Sequence, residues 1–318
     1  MAFVPGIPTM TDLPLLGSPK PRSLWSVLMA GQTGPVTVVV LCIIAIWYVA
    51  CFMMNGDAVL RTAADPASMT LMDRIIASMQ QQRPVIPAPH QVVVELWKTI
   101  VLVDPTSKRS LIYHGAVTLS SAFVGFLMGA ALGIVLAILI VHIKTLQKSL
   151  MPWIIASQTI PILAIAPIII VVLAALDIKG LIPKAVISTY LCFFPVTIGM
   201  VKGLTSADPM QLDLMRTYNA SRSQTFWLLR WPSSTPFLFA SLKVAIAISL
   251  VGAIVGELPT GAQAGLGSRL LSGSYYGQMV QIWAALFAAA GIAAGLVSLV
   301  GFIETRTLRA MGMAGASR

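Results

Sequence analysis

Apolar residues in this chain come in long runs, not in the alternation of a half-buried strand or the narrow stripe of a soluble helix. Six such runs fall at 35–54, 115–141, 151–176, 185–201, 236–257 and 279–303, and the only charges inside them are Lys243 and Glu257. A helix needs about 20 apolar residues to cross the hydrocarbon core of a bilayer. The pattern therefore predicts an all-α polytopic membrane protein with six transmembrane helices. Prolines interrupt the third run (Pro161, Pro167) and the fourth (Pro195). Proline frees backbone carbonyls, which lipid tolerates only where neighbours or a cavity satisfy them. The third helix is thus either cavity-facing, with Pro161 and Pro167 on the solute path, or simply kinked.

Polar segments separate the runs. Residues 1–34 are a Pro/Gly-rich tail, and 304–318 form a second tail. Asn55-Gly56 closes the first span. The segment 55–114 then holds an amphipathic helix, Ser68–Gln82, with Leu71, Met72, Ile75, Ile76 and Met79 on one face at helical spacing. That face lies on the membrane, on a partner, or against the local fold.

Composition agrees: 57% of residues are hydrophobic and 10% charged, against roughly 25% charged in soluble domains. A soluble protein with deeply buried helices is the bland alternative, and runs this long exceed such helices. The formal charge of +10 suggests nucleic acid until its distribution is read. Lys20, Arg22, Lys144, Lys148, Lys202, Arg216, Arg222, Arg230, Arg306 and Arg309 fall on one side of the six spans, while the opposite short loops hold Lys179, Lys184 and Arg269. That asymmetry is positive-inside anchoring; it puts both termini in the cytoplasm and implies no nucleic acid. About thirty residues precede the first run, too many for the leader of a cleaved signal peptide. Cys42, Cys51 and Cys192 sit in apolar runs without metal-ligand spacing, and His90, His114 and His142 are isolated. No metal site or nucleophile constellation is predicted.

Between the fourth and fifth runs the chain turns polar over 206–231. Its core and flank read "DLMRTYNASRSQTFWLLRWPSSTP". Leu212, Leu214, Met215 and Tyr218 make a short apolar stripe, ended by Asn219. Asparagine accepts positive φ because its side chain bonds locally to backbone. A second helix from Ser221 carries Phe226, Trp227 and Trp231 with Arg222 and Arg230, stops at Trp231-Pro232, and restarts with Thr235 as N-cap and Pro236 at N1. This predicts a helix–bend–helix hook on the cytoplasmic side, either docking a partner or lying in the membrane interface.

That stretch resembles the signature of the inner-membrane permeases of binding-protein-dependent ABC importers, approximately E-A-A, three residues, G-A, and a helix ending in L-P. Asp213-Leu214-Met215 stands at E-A-A, Asn219-Ala220 at G-A, Trp231-Pro232 at L-P, with Pro236 in register. "VIPAPHQVVVELWK", "SQTIPILAIAPIIIVVLAALDIKGLIPKAVI" and "FFPVTIGMVKGLTSADPMQLDLMRT" resemble the nitrate/sulfonate/taurine branch, and the likeness covers about 85–310. It departs where glycine is replaced by Asn219 and the two small residues by the bulkier Leu214 and Met215.

The resemblance implies a type I ABC importer permease fold in the bacterial inner membrane. Asp213, Leu214, Met215, Arg216, Thr217, Tyr218, Asn219 and Ala220 become the ATPase-coupling element, with Pro232 and Pro236 structural. It implies ABC ATPase subunits that bind ATP and Mg, a second permease subunit (homo- or heterodimer), and a periplasmic substrate-binding protein. The solute would be nitrate, taurine or a sulfonate, bicarbonate, or a pyrimidine-type precursor. No G-x-x-x-x-G-K-[ST] occurs in the sequence, so nucleotide chemistry belongs to a partner. Lys243 reads as a snorkelling lysine. Glu257 either gates the outer mouth or is an interfacial carboxylate, and Asp177 is a weaker candidate. None has a partner visible in the sequence, which argues against an ATP-independent carrier or channel. A membrane-embedded enzyme would need clustered catalytic groups, which the sequence lacks.

Overall fold

The computed structural model describes residues 33–62, 69–259 and 264–313. The expectations for the bulk of the N-terminal tail and for the last five residues lie outside those residues. The chain is all-helical: α1 (Thr33–Thr62), α2 (Leu71–Gln80), α3 (Pro89–Trp97), α4 (Leu111–His142), α5 (Lys144–Ser157), α6 (Ile162–Ala175), α7 (Leu181–Leu204), α8 (Pro209–Thr217), α9 (Arg222–Thr225), α10 (Trp231–Glu257), α11 (Leu266–Tyr275) and α12 (Met279–Ala310). Among the described residues five helices are long and apolar enough to cross a membrane, six if α5 and α6 count as one bent span.

The centre is a three-helix block of α4, α7 and α10, held by small residues. Lipid tails compete with apolar side chains, so membrane helices associate where small residues let backbones approach. Gly125, Gly129 and Gly133 of α4 recur every fourth residue, on one face. A Cβ on Gly125 would lie 2.3 Å from the Ser188 Cβ and 2.6 Å from the Ala185 carbonyl oxygen. One on Gly129 would lie 2.5 Å from the Cys192 Cβ, and one on Gly133 2.8 Å from the Phe193 oxygen. On α7's other side, Gly199 meets Ser241 and Gly203 meets Phe237, while Gly252 of α10 meets Ser188. Hydroxyls and a thiol add cross-helix bonds: Thr189 Oγ1 donates to the Gly125 carbonyl (3.2 Å), Ser188 Oγ to Ser249 (2.9 Å) and Cys192 Sγ to Ala245 (3.1 Å).

Apolar packing caps both ends of the block. Ile140, Met200, Leu204 and Phe226 close the end where α7 leaves for the 206–231 insert. Leu111, Leu266, Ala284 and Ala285 close the other. α1 stands outside, pinned to the segment before α3 by Trp47 Nε1 donating to the Pro87 carbonyl at 3.0 Å and to α12 by ring contacts of Trp47 with Trp283 and Phe287.

Several boundaries differ from those the sequence predicts, each for a local reason. α1 runs through Asn55-Gly56 to Thr62. Asn55 is buried, and its side chain bonds across to another segment instead of breaking the helix: Nδ2 donates to Ser78 and Ile86 carbonyls, and Oδ1 accepts from Val85 and Ile86 N–H groups. The amphipathic helix is Leu71–Gln80, set by a capping box in which Thr70 and Asp73 exchange bonds; Ser68 lies outside the described residues. Its buried residue is Ser78, while Leu71, Met72 and Ile76 are exposed.

The third run is two helices at 101°, not one helix with two prolines inside. Pro161 disfavours helical backbone at the residue before it and becomes the uncapped N-cap of α6, whereas Pro167 sits within α6 without breaking it. The fourth span, 181–204, is longer than 185–201 and takes Lys184 out of the loop and into the bundle, where it is buried. The sixth continues to Ala310.

Pro232 and Pro236 neither stop nor restart a helix. The helical stretch Arg222–Glu257 is continuous over 36 residues. It absorbs the prolines through a π-helical turn at Phe226–Arg230. Ser233 Oγ bonds to the Leu229 carbonyl, and Ser234 and Thr235 hydroxyls bond to that of Trp231.

Candidate functional site

Two places carry unusual chemistry, one at each end of the block. At one end the 206–231 insert folds as a hook. Asp208 caps α8, accepting the Met210 N–H at 2.8 Å, with Pro209 in the first turn. α8 ends in a Schellman motif. The Asn219 N–H donates to the Arg216 carbonyl and the Ala220 N–H to that of Met215, both at 2.9 Å, with Asn219 at φ 51. Ser221 then caps α9 in a reciprocal box with Gln224. Two capping devices on adjacent residues set the angle between α8 and α9.

α8 buries no residue. Met210, Leu214 and Tyr218, four residues apart, are 80%, 55% and 77% exposed, so they form one outward apolar stripe. Leu212 and Met215 are half-buried, so the predicted stripe is split. Asp213 and Arg216 pair on the surface at 2.8 Å, and Thr217 Oγ1 bonds back to the Asp213 carbonyl. Behind α8 lies a cavity of about 480 Å³ lined by Arg216, Arg222, Arg230, His142 and Phe226.

At the opposite end, Glu257 is fully buried, so it is not an exposed interfacial carboxylate. Thr118 Oγ1 donates to Glu257 Oε1 at 2.9 Å, and the Gly267 N–H donates to Oε2 at 2.8 Å. The same Thr118 oxygen accepts the Leu266 N–H at 2.8 Å. His114 Nδ1 accepts the Gly265 N–H at 3.0 Å, which leaves the proton on Nε2 to donate to the Lys108 carbonyl. Lys184 Nζ stands 3.7 Å from Oε1. The carboxylate thus takes the place of a side-chain cap for α11 and ties α4, α7, α10 and α11 together. Gly265 has φ 125, and a Cβ there would lie 2.2 Å from the Glu257 carboxyl carbon. Glycine is therefore needed both for conformation and for space.

Lys243 does not snorkel. Its Nζ donates to Glu304 Oε2 at 2.7 Å, joining α10 to α12. The sequence shows no partner for either charge, because each partner is remote along the chain. Thr118, His114, Lys184 and Glu304 were all unremarkable there. The one available signal was that Lys184 borders an apolar run. Asp177, at φ 58, is exposed and pairs with Lys179. Pro161 is exposed at the α5–α6 break; Tyr190, on α7, donates its hydroxyl to the Ser157 carbonyl there.

Comparison with known proteins gives a consistent picture. Residues 129–309 match the family model described as binding-protein-dependent transport system inner membrane component. The formylaminopyrimidine transport permease protein ThiX of Halalkalibacterium halodurans is 32% identical over 209 residues, covering 64% of this chain and 79% of that protein. The riboflavin transport system permease protein RibX of Chloroflexus aurantiacus is 29% identical over 225 residues (71% and 80%). The nitrate import permease protein NrtB of Leptolyngbya laminosa is 29% identical over 226 residues (69% and 78%). A crystal structure of an amino acid ABC transporter with histidines superposes with a TM-score of 0.51 at 18% identity, over 61% of this chain and 92% of that one.

Proposed function

This chain belongs to the family of inner-membrane components of binding-protein-dependent transport systems, and from that premise we propose that it is half of the translocation path of an ATP-driven importer. Its fold is the type I permease fold, and its relatives are permease subunits of ABC importers. Two such subunits, identical or different, would enclose the path in the bacterial inner membrane, with both termini and the hook in the cytoplasm. A binding protein would deliver a small polar solute at the opposite end, of the nitrate, sulfonate, bicarbonate or pyrimidine class carried by the relatives' branch.

The observation that carries the reading is the hook itself. An outward stripe of Met210, Leu214 and Tyr218, none of them covered, stands at a helix–bend–helix angle set by adjacent caps. A separate ATPase subunit, holding ATP and Mg, would receive that stripe. Asp213 to Ala220 would then pass its movement to the bundle as a rigid-body switch between inward- and outward-facing forms. Pro161, at the α5–α6 break, would border the path.

The ion pairs Lys184–Glu257 and Lys243–Glu304 favour a second reading, an ATP-independent carrier, since paired charges inside spans mark such proteins. Reconstitution separates the two. Uptake into proteoliposomes should require the ATPase subunit and stop when that subunit binds but cannot hydrolyse ATP. Uptake that continues with the inactive ATPase would sink the importer reading.

A further inference from the structure

At the end of the bundle away from the hook, a cavity of about 530 Å³ opens between α3, the loop before α4, and α11. Lys98, Arg109 and Arg269 line it, against a single carboxylate, Glu95. Among the described residues none of the three cations forms an ion pair within 4.0 Å. Gln278 and Gln281 add amide groups.

Two further features point to an occupant. Arg269 Nε is buried and has no hydrogen-bond partner among the described residues. A buried donor left unpaired is costly, so the guanidinium that lines the cavity is short of acceptors in the protein itself. Burial also draws the Arg269 guanidinium below its usual range, with Glu95 acting in the opposite sense. In addition, Lys98 opens a π-helical turn, Lys98–Leu102, a local distortion that often accompanies functional sites.

The walls are fixed rather than loose. Ser110 Oγ bonds the Thr99 carbonyl at 3.3 Å, Arg269 Nη2 the Arg109 carbonyl at 3.3 Å, and His114 holds both the Lys108 carbonyl and the Gly265 N–H. The cavity therefore hangs from the same buried network that holds Glu257.

We propose that this cavity binds a small oxyanion, a carboxylate, sulfonate or nitrate, with Arg269 as the central donor and Lys98 and Arg109 supplying charge from the rim. A guanidinium presents paired N–H donors matched to two oxygens of such a group. Binding would join α3 to α11, two elements that otherwise meet across open space.

The test uses the purified full-length protein in nanodiscs and needs no transport assay. Thermal unfolding is followed against nitrate, methanesulfonate and acetate, with chloride at matched ionic strength as the reference. At least one oxyanion should raise the Tm of the wild type saturably above the chloride control. Arg269→Gln should abolish that rise. Lys98→Gln and Arg109→Gln, both at exposed positions, should weaken it about tenfold or more while leaving the salt-free Tm unchanged. Should Arg269→Gln fail to fold, the two rim variants decide. Equal response to all four salts, or a wild-type response in both rim variants, overturns the proposal and leaves only a general ionic-strength effect.

Discussion

Thr118 and Glu257 lie 139 positions apart in sequence, yet the threonine hydroxyl donates to the carboxylate at 2.9 Å while accepting the Leu266 N–H at 2.8 Å. One oxygen atom thereby fixes the start of α11 to the end of α10. Thr118→Val keeps the volume and removes both bonds. It leaves the buried Leu266 N–H without its acceptor and takes one donor from a buried carboxylate, a loss of about 1.5–3 kcal/mol. Its unfolding midpoint in detergent should drop by several degrees, and Thr118→Ser should recover most of the loss.

Gly125 and Gly291 offer a matched pair. A Cβ at Gly125 meets Ser188 and Ala185 at distances no real Cβ adopts, whereas nothing lies within 4 Å of one at Gly291. Gly125→Ala should force α4 off α7 and lower stability by about 1–3 kcal/mol. Gly291→Ala should be neutral or slightly stabilising, since alanine favours helix by about 1 kcal/mol. Comparing the melting of the two purified variants checks both.

Asn219 stands at φ 51 between two capped helices. Asn219→Gly should keep the hook. Asn219→Val places a β-branched residue in the left-handed region, at a cost on the order of 1–2 kcal/mol. Solute imported per ATP hydrolysed by the reconstituted complex should fall for valine and hold for glycine; full coupling with valine would remove the bend from the mechanism.

Leu214 and Met215 occupy adjacent positions with opposite fates, one exposed and one half-buried. Leu214→Asp should therefore cut recovery of the ATPase in a pull-down without moving the Tm, because its side chain supports nothing in the isolated subunit. Met215→Asp should lower the Tm. A pull-down unaffected by both Leu214→Asp and Tyr218→Asp would show that the stripe is not the docking face.

Lys243 and Glu304 meet at 2.7 Å with both side chains partly buried. Lys243→Met alone strands the carboxylate. The Lys243→Glu, Glu304→Lys exchange should regain more than half of what either reversal loses, with a coupling of about 0.5–3 kcal/mol in a double-mutant cycle. Additive losses would mean that the pair is incidental.

The fold class was legible because span length and charge exclusion are local properties of the sequence. The bend at Asn219 and the helix from Ser221 were legible for the same reason: both residues act on backbone a few positions away. Asn55 misled because asparagine next to glycine ordinarily ends a helix, and only tertiary partners at Ser78, Val85 and Ile86 override that. Pro232 misled because three following hydroxyls and a π-helical turn accommodate it. The Glu257 network could not be read at all. Its members come from four helices, and no spacing along a single chain announces them.

The unbroken run Arg222–Glu257 has a mechanical consequence. At 1.5 Å per residue its 36 residues make a rod about 54 Å long, with the hook's bend at one tip and the buried carboxylate at the other. Glycine contacts with α7 fasten the rod to its neighbours along much of its length, so it cannot slide or twist by itself. A tilt of about 5° imposed at the hook would sweep the far tip by about 5 Å over such a length, roughly the width of a small solute. Whatever leans on α8 therefore has leverage on the opposite face of the membrane, without any intermediate part having to change shape.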